Sequence, residues 1–136
     1  MPVKLEVITV PTDADWQDLE KIHQDTASHG LTMPCSELQS WLTSQHWVFA
    51  GRFNDRIIGV MLAEQQQQMV YLSNAAVRSI TQRRGVMHQM LHFMQRWAQE
   101  QHVDLVIADC PEALTPALAA RNFQHISNQW VFFGTK

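Results

Sequence analysis

Between residues 75 and 91 an apolar run, Ala75-Ala76-Val77, passes into a polar, basic turn, and then into apolar residues at helical spacing, Val86, Met87, Met90 and Leu91. The pattern reads as strand, turn and long helix, so the fold must hold a sheet with a helix packed on it. The turn itself is Gln82-Arg83-Arg84-Gly85. The start of a helix presents backbone N–H groups that have no intrahelical partner, at the positive end of the helix dipole. That arrangement suits an anion, and two adjacent arginines add charge and directional donors. The ligand that fits such a turn is a phosphate or pyrophosphate.

The flanking chain supplies the other elements. Residues 3–10 alternate, with Val3, Leu5 and Val7 on one side and Lys4 and Glu6 on the other, which predicts a first strand. Pro11 ends it, and Thr12 or Asp13 can cap a helix carrying Trp16, Leu19, Ile22 and His23 through about Ser28, with Gly30 as its stop. A second helix starts near Pro34 and turns Leu38, Trp41 and Leu42 inward. Residues 47–53 and 56–63 are strands joined by a tight Asn54-Asp55 turn. The glutamine run 65–68 reads as a hairpin tip, and 69–78 as the fourth strand, leading into the basic turn. From Arg84 to about Gln101, the residues Met87, Met90, Leu91, Met94, Trp97 and Ala98 form one apolar helical stripe. Residues 103–108 read as a buried strand, 112–121 as a helix whose first turn Pro116 moves to near Thr115, and 123–126 with 129–133 as a closing strand or hairpin. No repeat or linker divides the 136 residues, which predicts one domain over 1–136.

Gln82-x-x-Gly85-x-Met87 resembles the pyrophosphate turn of the GNAT acetyltransferase fold, with Met87 where that family has a small residue. The element order also matches, and the turn falls between the fourth strand and the third helix. The resemblance implies an α/β (α+β) GNAT fold: a mixed central sheet of six or seven strands with helices on both faces. It further implies acetyl-CoA or CoA as cofactor, held by Ala76, Val77, Arg78, Gln82, Arg83, Arg84, Gly85, Val86, Met87 and His88. Within GNAT proteins, four stretches are similar to the PanM/PanZ family, acetyl-CoA-sensing maturation factors of aspartate 1-decarboxylase. They are Asp18-Leu19-Glu20-Lys21-Ile22, Arg52-Phe53-Asn54-Asp55-Arg56, Val77-Arg78 and residues 81–86. That likeness implies the aspartate 1-decarboxylase proenzyme as partner, with Arg52, Asn54 and Arg78 facing it or the thioester pocket.

Acetyl transfer would need a base, a carbonyl-polarising donor and an acid for the leaving thiolate. The resemblance puts the acid on a tyrosine five residues before a position that corresponds to Phe123, which here is Leu118. The single tyrosine, Tyr71, lies toward the other end of the fourth strand. Cys110 is either a proton donor or a structural thiol. Glu64, Glu112 and Asp109 are base candidates that read equally as strand-end, helix-start and capping residues. No acid–base pair stands out, which favours an acetyl-CoA-binding regulator that promotes proenzyme self-cleavage, in pantothenate and CoA biosynthesis. An N-acetyltransferase for a small amine or protein is the alternative, and a GNAT-like interaction module without CoA a second one.

A formal net charge of −3 argues against broad nucleic-acid binding. Cys35 and Cys110 lack metal-type spacing and read as reduced thiols. His88 and His92 stand four apart on one helix, but no third ligand accompanies them, so no metal site is expected. Without an apolar leader or a membrane-length run, a cytoplasmic, membrane-free protein is expected.

Overall fold

The computed structural model describes residues 2–81 and 85–136. Its first strand, β1 (Lys4–Ile8), is shorter than the alternation predicts, because Thr9 and Val10 already bend toward Pro11. Helix α1 (Asp13–Thr26) begins with a reciprocal cap. The Thr12 hydroxyl accepts the Asp15 amide, while the Thr12 amide donates to the Asp15 carboxylate, each at 3.1 Å. Helix α2 (Cys35–Trp41) follows a loop, and buries Leu38 fully.

Strands β2 (His46–Phe53) and β3 (Arg56–Gln66) form the predicted hairpin. Asn54 and Asp55 both have positive φ, 50° and 63°, as a two-residue turn that follows the twist of its strands requires. β3 runs through Gln66, so the glutamine run is half strand, and only Gln67 and Gln68 make the tip before β4 (Met69–Val77). A short 3-10 turn (Ser79–Thr81) leaves β4, and helix α3 spans Val86–Gln101. After β5 (Asp104–Ile107), the helix starts at Thr115, as Pro116 predicts, and the residues before it make a separate turn. A 3-10 turn (Glu112–Leu114) leads into α4 (Thr115–Ala120), with Pro116 in the first turn, where its missing N–H costs nothing. β6 (Gln124–Ile126) and β7 (Gln129–Phe132) close the chain as a hairpin.

The seven strands make one mixed sheet, in the order β1-β2-β3-β4-β5-β7-β6. Among the described residues, only β4 and β5 pair in parallel, joined through α3. One face is covered by α3 and α4, which contribute Met90, Leu91, Met94, Ala98 and Leu118 to a core with Phe49, Met61 and Leu105. The other is covered by α1 and α2, through Leu19, Ile22 and Leu38 against Val48, Val60 and Leu62. Each fully buried side chain of this size contributes about 1.5–3 kcal/mol. Among the described residues, no helix is long and apolar enough to cross a membrane.

Candidate functional site: a cleft between β4 and β5

The parallel ladder of β4 and β5 is only three pairs long, Met69–Asp104, Val70–Leu105 and Tyr71–Val106. Beyond Tyr71 the strands part, while β4 continues to Val77. A bulge in β4 lies alongside the gap. Val60 faces Ala76 and Leu62 faces Ser73, so Met61 stands opposite two residues, Asn74 and Ala75. The extra residue swaps the faces of the strand. Val70 and Leu72 point to the α3 side before it, Ala75 and Val77 after it, and Ala76 turns to the α1 side. Asn74 takes the positive φ (54°), which asparagine tolerates. Its side-chain oxygen accepts from the Thr32 amide and hydroxyl, both at 3.0 Å, tying the bulge to the loop after α1.

Two connected cavities fill the gap. The larger, about 420 Å³, carries polar side chains from His29, Thr32, Tyr71, Ser73, Asn74 and Asp109, over a floor that includes Met61, Leu72 and Ile107. The smaller, about 280 Å³, is an apolar slot between Ala75, Ala76, Val77 and Met87 on one side and Pro111, Ala113 and Leu114 on the other. His29, Ala75, Pro111 and Leu114 border both. The loop after α1 approaches β4 so closely that a Cβ on Gly30 would lie 2.8 Å from Thr26 Cβ and 2.9 Å from Ala76 Cβ. Thr26 organises that loop: its hydroxyl donates to the Ile22 carbonyl (2.8 Å) and accepts the Leu31 amide (3.0 Å).

At the start of α3, Gly85 is the N-cap, in a left-handed conformation (φ 71°), with no side-chain cap. The first bond into the helix is from the Gln89 amide to the Gly85 carbonyl, so the amides of Val86, Met87 and His88 precede the helical ladder. Of the cofactor residues that the resemblance names, Ala76, Val77 and Met87 line the slot. Met87 therefore stands in the wall where a small residue was expected, which narrows the slot. Val86 is 1% exposed within the α3-side core, so only its backbone can face a ligand. His88 is exposed on the first turn of α3. Gln82, Arg83 and Arg84 lie outside the described residues.

The arginines assigned to a partner have internal partners as well. Arg52 pairs with Glu6 through Nε and with Asp15 through a terminal nitrogen at 2.9 Å, and its side chain is 20% exposed. Both acids hold the guanidinium charged, against the burial that opposes it. Arg78 donates to Asp25 at 3.2 Å. Asn54 is exposed at the hairpin tip.

The acid–base candidates sort as follows. Leu118 is fully buried and can only pack. Glu64 accepts from His46 (3.0 Å) and Gln66 (2.7 Å), and is engaged in that strand-end network. Glu112 begins the 3-10 turn. Cys110 is pushed up by burial, which makes it a neutral thiol. Asp109 lines the larger cavity, as does Tyr71, whose hydroxyl donates to the Met69 sulfur at 3.6 Å. Position along the strand hid Tyr71, because the strands part beside it. His29 was missed altogether; a histidine just before the helix-stopping Gly30 was the available signal.

The matching family model is described as an acetyltransferase (GNAT) domain, PanZ, and it covers residues 2–131. The chain belongs to the PanZ family of GNAT domains. No curated protein matches the sequence. Solved structures show the same fold. Tetrahymena GCN5 superposes with a TM-score of 0.76 at 13% identity, over 96% of this chain and 95% of that one. The ribosomal-protein-S18-alanine N-acetyltransferase of Escherichia coli gives 0.72 at 15%, over 94% and 91%. The E. coli protein YhhK, described as an N-acetyltransferase and solved with coenzyme A bound, gives 0.68 at 21%, over 98% and 99%. In this GNAT frame the parted β4 and β5, the apolar slot and the α3 amides, which have no side-chain cap among the described residues, suit a thioester carrier with an anionic tail.

Proposed function

We propose that this chain binds acetyl-CoA in the β4–β5 cleft and, in that state, promotes self-cleavage of the aspartate 1-decarboxylase proenzyme. The observation that carries the reading is membership of the PanZ family along almost the whole chain. The whole chain acts as a single domain in this reading, in the cytoplasm. The slot of Ala75, Ala76, Val77, Met87 and Leu114 would sheathe the pantetheine arm. The amides of Val86, Met87 and His88 would meet the pyrophosphate, assisted by Gln82, Arg83 and Arg84. Bound acetyl-CoA supplies a thioester whose presence reports the CoA status of the cell. Arg52 and Asn54, on the β2–β3 hairpin, and Arg78 would face the proenzyme. Mixing the two proteins from one source, with and without acetyl-CoA, and following chain cleavage on a gel tests this. Cleavage that requires both additions is expected; cleavage at the unassisted rate would overturn the reading.

A second reading is N-acetyl transfer, favoured by Tyr71, His29 and Asp109 around the larger cavity. There, His29 or Asp109 would take the amine proton and Tyr71 would protonate the leaving thiolate. Thiol release from acetyl-CoA with a panel of amines is the assay, and loss of that release in Tyr71→Phe would support it.

A further inference from the structure

Asp25 sits in the last turn of α1, where an acidic side chain opposes the negative end of the helix dipole. One of its carboxylate oxygens, Oδ2, accepts three hydrogen bonds, all from the segment just after β4. The donors are Arg78 Nε at 3.2 Å, the Ser79 amide at 3.0 Å and the Ser79 hydroxyl at 3.1 Å. Those bonds, led by the one from the Ser79 amide, hold the carboxyl below its ordinary range, so it is charged at neutral pH. The segment it grips joins the wall of the apolar slot to the 3-10 turn (Ser79–Thr81). The next residue of α1, Thr26, and His29 beyond it border the same slot. The end of α1 and the end of β4, both of which border the slot, are thus joined through this carboxylate.

We infer that Asp25 is a positioning residue for the cofactor. Its role is indirect: it fixes Arg78 and Ser79, and so holds the end of β4 against α1 and sets the direction in which the chain leaves β4. The inference rests on CoA binding in the cleft as proposed above. Its logic fixes a sign. A negative carboxylate near the binding site of a polyanion repels it, so removing a charge that did nothing else would tighten CoA binding. Removing a positioner weakens it.

The test is calorimetric titration of CoA into wild type, Asp25→Ala and Asp25→Asn at pH 7.5, at a temperature where circular dichroism shows all three folded. Asp25→Ala is expected to weaken binding about tenfold. Asp25→Asn keeps a carbonyl oxygen for the Ser79 amide and is expected to fall between, a graded rescue that loss of global stability does not produce. Asp13→Asn, at the far end of α1, controls for net charge and should leave the affinity unchanged. If Asp25→Ala does not fold, Ser79→Ala removes one of the three donors, and an approximately two- to fourfold loss is expected. Wild-type binding with Asp25 variants at equal or tighter affinity overturns the inference alone. Absence of CoA binding by wild type overturns the cofactor reading, and the inference with it.

Discussion

Asp18 shows how much one side chain can contribute away from the cleft. It is 3% exposed, on the inner side of α1, and accepts from Arg56 Nε (3.0 and 3.2 Å), a terminal nitrogen of Arg56 (2.6 Å) and the Ile57 amide (3.0 Å). Burial alone would push its carboxyl up. The Arg56 bonds and the Ile57 amide outweigh that and hold it down. Asp18→Ala leaves the Ile57 amide buried without its acceptor, so a loss of about 1–3 kcal/mol is expected in urea unfolding. Arg56→Ala should cost less, because the guanidinium is half exposed and water can partly replace it in the pair. Gly30→Ala poses a different problem, since its Cβ would collide with Thr26 and Ala76 across the neck between α1 and β4. That substitution is expected to cost about 1–3 kcal/mol and to weaken CoA binding. A thermal melt with and without CoA reads both effects. The sequence showed Gly30 as a helix stop, and Asp18 only within a stretch that resembles the PanZ family; Asp18 meets Arg56 and Ile57, and Gly30 meets Ala76, 38 or more residues away and beyond the reach of any local periodicity.

At the scale of elements, period and turn chemistry carry most of the fold. The Asn54-Asp55 turn and the methionine stripe from 87 to 98 place the β2–β3 hairpin and α3 correctly, because turn chemistry and burial on one face select the same patterns that were read. The alternation at 3–10 finds β1, but Val7 is exposed and Ile8, on the other face, is the buried residue of that strand. The resemblance to GNAT proteins supplies the mixed sheet of six or seven strands, but not the order of the strands in it. The β4 bulge, in contrast, has no signature in the apolar pattern of 69–77, since Ser73, Asn74 and Ala75 suit either register. The cleft therefore could not be read from the residues alone, nor could the place of Tyr71 beside it. The bulge should be decisive for binding. Deleting Asn74 would put Ala75 opposite Met61 and reverse the facing of whatever follows or precedes it along the strand. CoA binding is then expected to fall below detection by calorimetry. Asn74→Ala keeps the residue count but loses both bonds from Thr32; it should retain the fold and bind CoA several-fold more weakly. Equal affinities for wild type and the deletion would mean that the bulge does not shape the site.

For the molecule as a whole, the shifted groups define a pH window of stability. Asp18 and Asp25 titrate below their ordinary value of 3.8 in the folded state. Groups lowered on folding stabilise above the unfolded value, and that contribution is lost as pH falls through the folded ones. The acid limb therefore begins near pH 4 and steepens below it. Cys35 behaves in the opposite sense. Burial first, and then a hydrogen bond and charge repulsion from Glu20, push its thiol from 9.0 to about 11. The folded state keeps that proton longer than the unfolded chain does. Its stabilisation is complete below pH 9 and is lost as pH rises through about 11. Cys110, raised by burial, adds to the same limb. Urea midpoints measured from pH 3 to 11 are thus expected to form a plateau with two falling sides. Asp18→Asn should flatten the acid side, and Cys35→Ser the alkaline side, each leaving the other unchanged. Because both thiols stay protonated through neutral pH, alkylation of the folded protein at pH 7.5 should be slower than that of the urea-unfolded chain. Equal rates would show that the thiolates form as readily in the fold as in water, and the alkaline side would then need another cause.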